Sequence, residues 1–363
     1  MLAMPGRATT AVLSCAMAAI IIFKLKRRLR NVMSNSETET MASARVADLR
    51  AVRAEDVPAE LTNAYYFDMD AAESRGCKEH VAFLRRTHDI ISAIDGLSDH
   101  VEKLLETEQQ AFQQSQRWAP TARTCCIGTV DVILQNGAGT PVVEPERLLC
   151  GTPTGGSDFV VMVGAGARIE GGAFDVSGGS IFIGAACIIE PGVLIRGPTY
   201  IGPRCTVRHG AYLRGNVVLG PECVVGGELK NCLLLGQVEC PHYGYVGDSL
   251  LGLKSHFGCG ALTANLPLFA TSQPAVDDGR GVRWVLGRRK VGAIIGDGAQ
   301  LGCGCVTEPG CLLAPSTHVY PLTRLARGLY GGGLIKNRPN IERVPLRSAP
   351  PRMHTGRYSM FIA

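Results

Sequence analysis

The chain has 363 residues and a formal net charge of +5, and 46% of its residues are hydrophobic. This length is enough for one large domain with accessory segments. The charge excess is small and much of it lies in residues 24–30, so the composition carries no nucleic-acid-binding signature. Glycine is abundant (44 residues) and aromatic residues make up only 6%, which is typical of a fold with many tight turns and a narrow aliphatic interior.

Residues 1–36 form a hydrophobic and basic segment, in which an apolar run over residues 9–23 is followed directly by five cations. The run is short for a membrane-spanning helix, which needs about 20 residues, and the charge that follows it would keep the rest of the chain cytoplasmic. A membrane anchor is the first interpretation. Because no acidic residue precedes Glu37, an organellar transit peptide is the second, and a dispensable extension with translation from Met33 is the third.

Residues 37–76 are polar and predict a linker, whereas residues 77–118 have a helical period. We expect this amphipathic helical segment to weaken or bend at Gly96 and to pack on the flank of the following domain. The alternative is a trimerising coiled coil, for which the apolar stripe is short. The stripe consists of Ile90, Ile91, Ile94, Leu97, Val101, Leu104 and Leu105.

Residues 119–345 contain hexapeptide repeats, which become clear from Val163. Cys187, Cys205 and Cys223 follow one another at intervals of eighteen residues, and from Ile183 an aliphatic residue opens every sixth position. Such a period predicts a parallel β-helix in which three hexads complete one triangular coil. The three cysteines should therefore stack above one another as small buried core residues, and their spacing does not favour a zinc site.

Residues 270–289 interrupt the hexapeptide rhythm and cannot fit into a six-residue coil. We expect them to loop outward from the β-helix, where sites are often built on a rigid scaffold. Residues 346–363 are rich in proline and arginine and predict a flexible tail.

The residues with the most chemical potential lie between 227 and 297. They include His242, Tyr243, Tyr245, Asn265 and the cationic run 288–290. A neutral imidazole can accept a proton from an attacking nucleophile, and nearby cations can hold a phosphate. Together they indicate group transfer onto a phosphorylated small molecule, while a surface histidine beside a solvated basic loop is the structural alternative.

The pattern E-L-K-N, P-H-x-x-Y-V-G-D-S, G-x-G-x-x-x-x-N-L and G-R-R-K-x-G-A-I-I-G-D resembles the acyltransferase half of the bifunctional UDP-N-acetylglucosamine pyrophosphorylase/glucosamine-1-phosphate acetyltransferases. The resemblance covers residues 124–343 and is strongest to archaeal-type, sugar-phosphate nucleotidyltransferase-like relatives. It implies a left-handed parallel β-helix, although parallel crossovers are otherwise almost always right-handed. It also implies a homotrimer with active sites between neighbouring chains.

The resemblance assigns His242 as the general base that deprotonates the amino group of the sugar while that group attacks the thioester of acetyl-CoA. It implies that no metal is required for this transfer. Substrate contacts are implied for Arg214, Lys230, Tyr245, Asn265 and Lys290, and cofactor contacts for Cys259, Arg289 and Cys303.

Three positions depart from the family pattern: the family commonly has Asn at His256, Ala at Cys259 and often Ser at Cys303. The nucleotidyltransferase domain of the bifunctional enzymes has no counterpart in residues 1–120, so uridylyl transfer is not expected. We expect a CoA-dependent N-acyltransferase for an amino-sugar phosphate such as glucosamine 1-phosphate, in UDP-N-acetylglucosamine biosynthesis. The alternative is a non-catalytic, sugar-nucleotide-binding regulatory subunit that partners a separate nucleotidyltransferase.

Overall fold

A computed structural model describes residues 45–114, 118–125, 128–135, 142–143, 148–151, 159–269 and 273–337. The N-terminal segment 1–36 and the tail 346–363 therefore lie outside the described residues. Among the helices of the described ranges, none combines the length and the apolar character that a bilayer-spanning segment needs.

The chain folds into a parallel β-helix whose coils have three faces. Along the first face the strands are short, because a strand needs little more than one inward apolar side chain before the next corner, and within the described ranges they form a ten-stranded parallel sheet. These strands are Val142–Val143, Arg168–Ile169, Ile188–Ile189, Thr206–Val207, Val224–Val225, Glu239–Cys240, His256–Phe257, Gln300–Leu301, Thr317–Val319 and Gly333–Ile335.

The second and third faces belong to one 18-stranded sheet, because Glu228–Leu234 and Tyr245–Leu251 continue through the corner between these faces. The remaining strands of the second face are Leu148–Gly151, Gly172–Asp175, Val193–Arg196, Tyr212–Arg214, Leu262–Thr263, Val306–Thr307 and Arg324–Leu325. Those of the third face are Gly128–Gln135, Val161–Val163, Ile181–Ile183, Thr199–Ile201, Val217–Leu219, Ala293–Ile295, Cys311–Leu313 and Gly328–Tyr330. Trp118–Cys125 pairs antiparallel with Gly128–Gln135 at the start of the β-helix.

The interior of the β-helix is a column of stacked aliphatic and cysteine side chains. Ile183, Ile201 and Leu219 follow one another in register, and Cys187, Cys205 and Cys223 are fully buried. The Sγ of Cys205 contacts the carbonyl oxygen of Gly220 at 3.1 Å, so the thiol also satisfies a backbone acceptor at the corner. The prediction of a hexapeptide-repeat parallel β-helix with an N-terminal helical segment is confirmed.

The interpretation of residues 37–76 as a linker does not hold from Arg45 onward. This part begins with the strand Arg45–Asp48 and continues through the 3-10 helices Leu49–Ala51, Ala54–Asp56 and Ala59–Leu61. It goes on with two short α-helices, α1 (Asn63–Tyr66) and α2 (Met69–Ser74). Although the segment is polar on average, four of its large side chains, Leu49, Leu61, Tyr66 and Phe67, are buried together. The average polarity of residues 45–76 therefore did not indicate that a few of their apolar side chains form a continuous core.

The described residues between 77 and 114 form three helices, α3 (Lys78–Thr87), α4 (Ile90–Asp95) and α5 (Leu97–Gln114), and a strand starts at Trp118. Helix α4 is capped by Asp89, whose carboxylate accepts from two backbone N–H groups, and it ends at Gly96, where the sequence predicted a weak point. The predicted apolar stripe is buried against outward side chains of the third face, such as Val218, Leu233 and Leu250. Helices α3, α4 and α5 thus cover one flank of the β-helix, and we call them the helical layer.

The interruption at 270–289 leaves the β-helix as a small sheet of its own. Ala275–Asp277 and Val282–Val285 pair antiparallel, and Arg45–Asp48 adds a parallel strand to the second of them. Asp278 stabilises the turn of this hairpin by accepting from the backbone N–H groups of Arg280 and Val282. The excursion therefore links the start of the described chain to the coils near residue 290.

A buried pair of histidines predicts that acid destabilises the helical layer. His80 Nδ1 lies 3.2 Å from His100 Nε2, and burial lowers the pKa of His80 to about 4 and that of His100 to about 3. Because the unfolded chain binds these protons more tightly, stability is fully present above about pH 6.5 and is lost as the pH falls toward 4. Asp297, whose pKa burial raises to about 6, acts in the opposite direction between pH 6 and 4.

The two imidazoles outweigh the Asp297 carboxyl, so we expect the free energy of unfolding to fall by roughly 2 kcal/mol between pH 6.5 and 5. Thermal midpoints measured across pH 4–8 check this slope. In the variant His100→Phe the fall should be smaller, because one titrating group is gone and Phe83, which stacks on His100 at a centroid distance of 4.2 Å, keeps an aromatic neighbour. A midpoint that is flat over this range in the native chain would contradict the prediction.

Candidate active site

His242 lies at the corner between the first and second faces, which we call the histidine corner (residues 241–244, 258–261 and 302–305). Glu239 pairs with His256 and His256 with Gln300 before the corner, while Tyr245 pairs with Leu262 and Leu262 with Val306 after it. Since the corner has the same length in the three coils, His242, Cys259 and Cys303 occupy equivalent positions on successive coils. Three of the predicted site residues thus form one column, in which His242 and Cys303 are exposed and Cys259 is half-buried.

Arg214, Lys230 and Tyr245 lie on the outer side of the second face: Tyr245 adjoins the histidine corner, whereas Arg214 and Lys230 lie at the opposite edge of this face. Strand alternation fixes this orientation, because their neighbours Leu213, Leu229 and Val246 are buried in the core. Tyr212, Glu228 and Tyr245 stack in register at the edge nearest the corner. His242, Glu228 and Tyr245 line a small cavity of about 10 Å³, room for about one water molecule.

Tyr245 is held in place by a polar network centred on Asp248. Asn265 Nδ2 donates to the Tyr245 hydroxyl at 2.9 Å and to Asp248 Oδ2 at 2.6 Å, and Asn231 Nδ2 donates to Asp248 Oδ1 at 2.9 Å. Burial, followed by the charges of Asp248 and Glu228, raises the pKa of the Tyr245 hydroxyl. The hydroxyl therefore stays protonated at neutral pH and can donate a hydrogen bond to a phosphate or a sugar oxygen.

The backbone conformation at Asp248 explains why short polar residues occupy this corner. Asp248 and Asn231 have φ angles of +48° and +47°, in the left-handed region that Asn and Asp tolerate better than other side chains. They adjoin each other on neighbouring coils, since Lys230 pairs with Gly247 and Cys232 with Ser249. The turn at Asp248 therefore does two things: it bends the strand, and it directs the Asp248 carboxylate toward Asn265, which in turn contacts Tyr245.

Arg288 connects this network to the helical layer. Its guanidinium donates to Asp248 Oδ1 at 3.0 Å and to Asp95 Oδ1 at 2.8 Å, and its side chain is only 17% exposed. Asp95, at the end of α4, also pairs with Arg50. A row of ion pairs through Arg50, Asp95, Arg288 and Asp248 therefore connects the N-terminal helical segment to the candidate site.

The predicted phosphate-binding cations differ in their availability. Arg214 Nη1 donates to Glu228 Oε1 at 2.5 Å, and this hydrogen bond raises the pKa of the guanidinium. In contrast, Lys230, Arg289 and Lys290 form no ion pair with any described residue, and the last two are exposed. No hydrogen bond or ion pair between described residues connects these three cations to His242, although the backbone N–H of Val291 donates to the Asn265 carbonyl at 3.0 Å.

A cleft of about 360 Å³ opens beyond Asn265. Its wall combines the exposed apolar side chains Leu266, Leu268 and Phe269 with Arg324 and Arg327. Apolar walls with a few polar groups are typical of small-molecule sites of this size. The sequence did not single out these residues, because the segment after Leu266 matches no motif.

A second groove, of about 470 Å³, lies on the first face and away from the predicted residues. It is polar, and its central contact joins His256 Nδ1 to Glu239 Oε2 at 3.1 Å. Its position does not coincide with any residue of the network around Tyr245. Among the described residues, no group of three or more potential ligand side chains is arranged to hold a metal ion.

Sequence reasoning missed Glu228, Asp248 and Arg288 as parts of this arrangement. A signal for Asp248 was present, because a carboxylate between Val246 and Leu250 is a candidate for burial and buried charges are paired. Arg288 was noted only as one of three adjacent cations. Nothing in the sequence marks its partner Asp95, since only the fold brings the two side chains together.

Residues 180–215 match the bacterial transferase hexapeptide family, described as six repeats. The chain is 37% identical over 92 residues to the bifunctional protein GlmU of Methanococcus maripaludis (strain C7), which covers 25% of this chain and 22% of that protein. It is 35% identical over 94 residues to a bifunctional sugar-1-phosphate nucleotidylyltransferase/acetyltransferase of Sulfurisphaera tokodaii, covering 26% and 23%. The chain thus spans about a fifth of the length of these relatives.

Among solved structures, the polysialic acid O-acetyltransferase OatWY matches with 15% sequence identity and a TM-score of 0.21, over 57% of this chain and 89% of that chain. At this TM-score the match adds nothing to the assignment. The repeats and the curated relatives do confirm the predicted resemblance. The chain contains hexapeptide repeats of the bacterial transferase type and is similar, over about a quarter of its length, to GlmU-type bifunctional proteins.

Proposed function

We propose that the protein is a CoA-dependent N-acyltransferase that acetylates an amino-sugar phosphate such as glucosamine 1-phosphate, a step toward UDP-N-acetylglucosamine. The observation that supports it is the exposed position of His242 at the histidine corner, where it lines a small cavity together with Tyr245. The similarity to GlmU-type proteins agrees with this chemistry, although the matched part is a fifth of their length.

In this reaction His242 acts as the general base. The amino nitrogen of the sugar attacks the thioester carbonyl of acetyl-CoA while the imidazole accepts a proton from that nitrogen. The new C–N bond completes an amide, the C–S bond breaks, and the departing thiolate is protonated to free CoA. No side chain or backbone atom of the described residues hydrogen-bonds the His242 ring, so its nitrogens are available to the substrate.

The sugar phosphate would be held by Lys230 and Tyr245 on the second face. Lys230 has no ion-pair partner among the described residues, whereas Arg214 must first exchange its contact with Glu228. Arginine binds phosphate through paired N–H donors, so this exchange replaces one charge-assisted contact by another. Arg289 and Lys290 are exposed, and the cleft beside Asn265 offers apolar walls for the acyl carrier.

We propose a homotrimer as the working assembly. Arg289 and Lys290 make no polar contact with His242 within one chain, so they can serve the site of a neighbouring chain instead. Light scattering on the purified protein measures the assembly directly. A monodisperse monomer that transfers acetyl groups would contradict the shared site.

The test of the function is a direct assay of the purified full chain with acetyl-CoA and glucosamine 1-phosphate, in which the acetylated sugar phosphate is detected by mass spectrometry. We expect product that depends on both substrates and forms without added metal. A thermal shift with UDP-N-acetylglucosamine and no acetyl transfer to any amino-sugar phosphate would instead favour the regulatory subunit. Galactosamine 1-phosphate and unphosphorylated glucosamine serve as controls for the sugar and for the phosphate.

A further inference from the structure

Two cysteines occupy equivalent positions on adjacent coils of the histidine corner. Gln300 pairs with His256 and Leu301 with Phe257 before the corner, and Val306 pairs with Leu262 after it. Both corners carry the same tripeptide, Gly-Cys-Gly, at residues 258–260 and 302–304. Cys259 and Cys303 are therefore opposite each other, and the backbone N–H of Gly304 donates to the Cys259 carbonyl at 2.9 Å.

These two thiols differ from the other described cysteines in their accessibility. Cys303 is exposed and Cys259 is half-buried, whereas the remaining cysteines with described side chains are buried. Core thiols such as Cys187 and Cys205 also contact backbone carbonyl oxygens, at 3.0 and 3.1 Å. No such contact holds the Sγ of Cys259 or Cys303 to another described residue. Both side chains are thus free to rotate toward each other.

The backbone geometry permits a bond between them. Neighbouring strands lie about 4.7–4.9 Å apart, which falls within the Cα–Cα range of about 4.4–6.8 Å found for disulfides. A Cβ built on Gly258 would lie 3.0 Å from Cys303 Cα, which shows how closely the two corners approach. Gly260 and Gly304 have φ angles of +73° and +69°, so the residue after each cysteine has the conformational freedom to absorb a small adjustment.

We propose that Cys259 and Cys303 form a reversible disulfide, with a low-molecular-weight disulfide as the oxidant. One thiolate attacks the small disulfide, which releases one small thiol and leaves a mixed disulfide on the protein. The second thiolate then displaces the other small thiol and closes the protein disulfide. Two cysteine thiols are oxidised and one small disulfide is reduced to two thiols. Because Cys303 is exposed, small thiols can attack the bridge and reduce it again.

The position of the bridge links it to the candidate site. Cys259 is equivalent to His242 on the next coil. Oxidation therefore restrains the corner next to the imidazole and converts the neighbouring thiol into part of a disulfide. The effect on activity rests on the proposed function: oxidation should lower the rate of acetyl transfer, and a small thiol should restore it. The formation of the bridge itself does not depend on any activity of the protein.

The test is to incubate the purified full chain with glutathione disulfide, alkylate the remaining thiols and map the tryptic peptides without reduction. Peptide 255–280 contains Cys259 alone, while peptide 291–324 contains Cys303, Cys305 and Cys311. We expect these two peptides to be linked, with fragmentation placing the bond at Cys303. In Cys259→Ser the link should be lost and Cys303 should carry glutathione instead.

The stacked thiols of Cys187, Cys205 and Cys223 are an internal control, because they repeat at the same coil spacing but are buried. They should stay unlinked in the folded chain. Separate glutathione adducts on Cys259 and Cys303 in the native protein, or a link through Cys305, would overturn the proposal. The acetyl-transfer assay is run in parallel, so a linked chain without activity in either state would refute the proposed function and leave the disulfide established.

Discussion

Replacing His242 with alanine is expected to lower the rate of acetyl transfer by about 10²–10⁴-fold, which is the usual contribution of one general acid–base group. The amino group of the sugar is protonated in part at neutral pH, and without a base its N–H proton has to leave to water while the thioester is attacked. Binding of both substrates should change little, because the cations of the second face remain. The loss should therefore fall mainly on kcat, measured with saturating acetyl-CoA and glucosamine 1-phosphate.

This substitution is a clean test because His242 is exposed and contributes nothing to the core. The thermal midpoint should stay within the range of ordinary surface substitutions. His318→Ala is the matched control, since His318 is also exposed and lies on the first face, with its Nδ1 3.1 Å from the Ser316 carbonyl oxygen. Equal rates for the His242 and His318 variants would remove His242 from the mechanism.

The β-helix was predictable because its physical determinants are local and repeated. Every coil needs an inward aliphatic side chain at the same hexad position and a residue that accepts the turn at each corner. Ile183, Ile201 and Leu219 satisfy the first condition with an interval that the sequence displays directly. A period of this kind constrains all coils at once, so a few departures do not obscure it.

Residues 45–76 were harder to predict for the opposite reason. Their fold has no period, and its core depends on a few residues such as Leu61 and Tyr66 that find partners only on other elements. Asp297 illustrates the point: its carboxylate accepts from the backbone N–H of Asp68 at 2.6 Å, across more than two hundred residues of chain. No residue near Asp68 or Asp297 in the sequence indicates that the two will be in contact.

The candidate site was predictable in part. The motif phrases singled out His242, Tyr245 and Asn265, and the structure joins the last two through one hydrogen bond. The phrases could not show that Arg214 is paired with Glu228 while Lys230 is unpaired among the described residues. Charge availability depends on which neighbours the coils bring together, and this is a property of the fold. The catalytic and binding roles themselves stay predictions.

Replacing Arg288 with methionine is expected to cost about 3 kcal/mol or more of stability, because it leaves the Asp248 carboxylate buried without a cation. Asp248 is only 4% exposed, and its remaining donors, Asn231 and Asn265, are neutral amides. Methionine retains much of the length and the apolar character of the arginine stem, so the loss reports the charge rather than a cavity. Urea denaturation followed by circular dichroism measures the shift.

The helical layer supplies the matched control. Asp95→Asn removes the other partner of Arg288, but this carboxylate is 41% exposed and the change should cost at most about 1 kcal/mol. Asp248 keeps its cation in that variant, so Tyr245 and Asn265 keep their positions. A large loss in Asp95→Asn would show instead that docking of the helices, and not the buried charge, determines stability here.

A second substitution separates an uncompensated charge from any other effect of losing Arg288. Asn in place of Asp248 tolerates the φ of +48° and removes the negative charge. In the double variant of Arg288→Met with Asp248→Asn, we expect at least about 1 kcal/mol of the loss to return, as non-additivity between contacting residues allows. If the double variant is less stable than Arg288→Met alone, the carboxylate is satisfied by its amide donors and the arginine acts mainly by tying the helical layer to the coils.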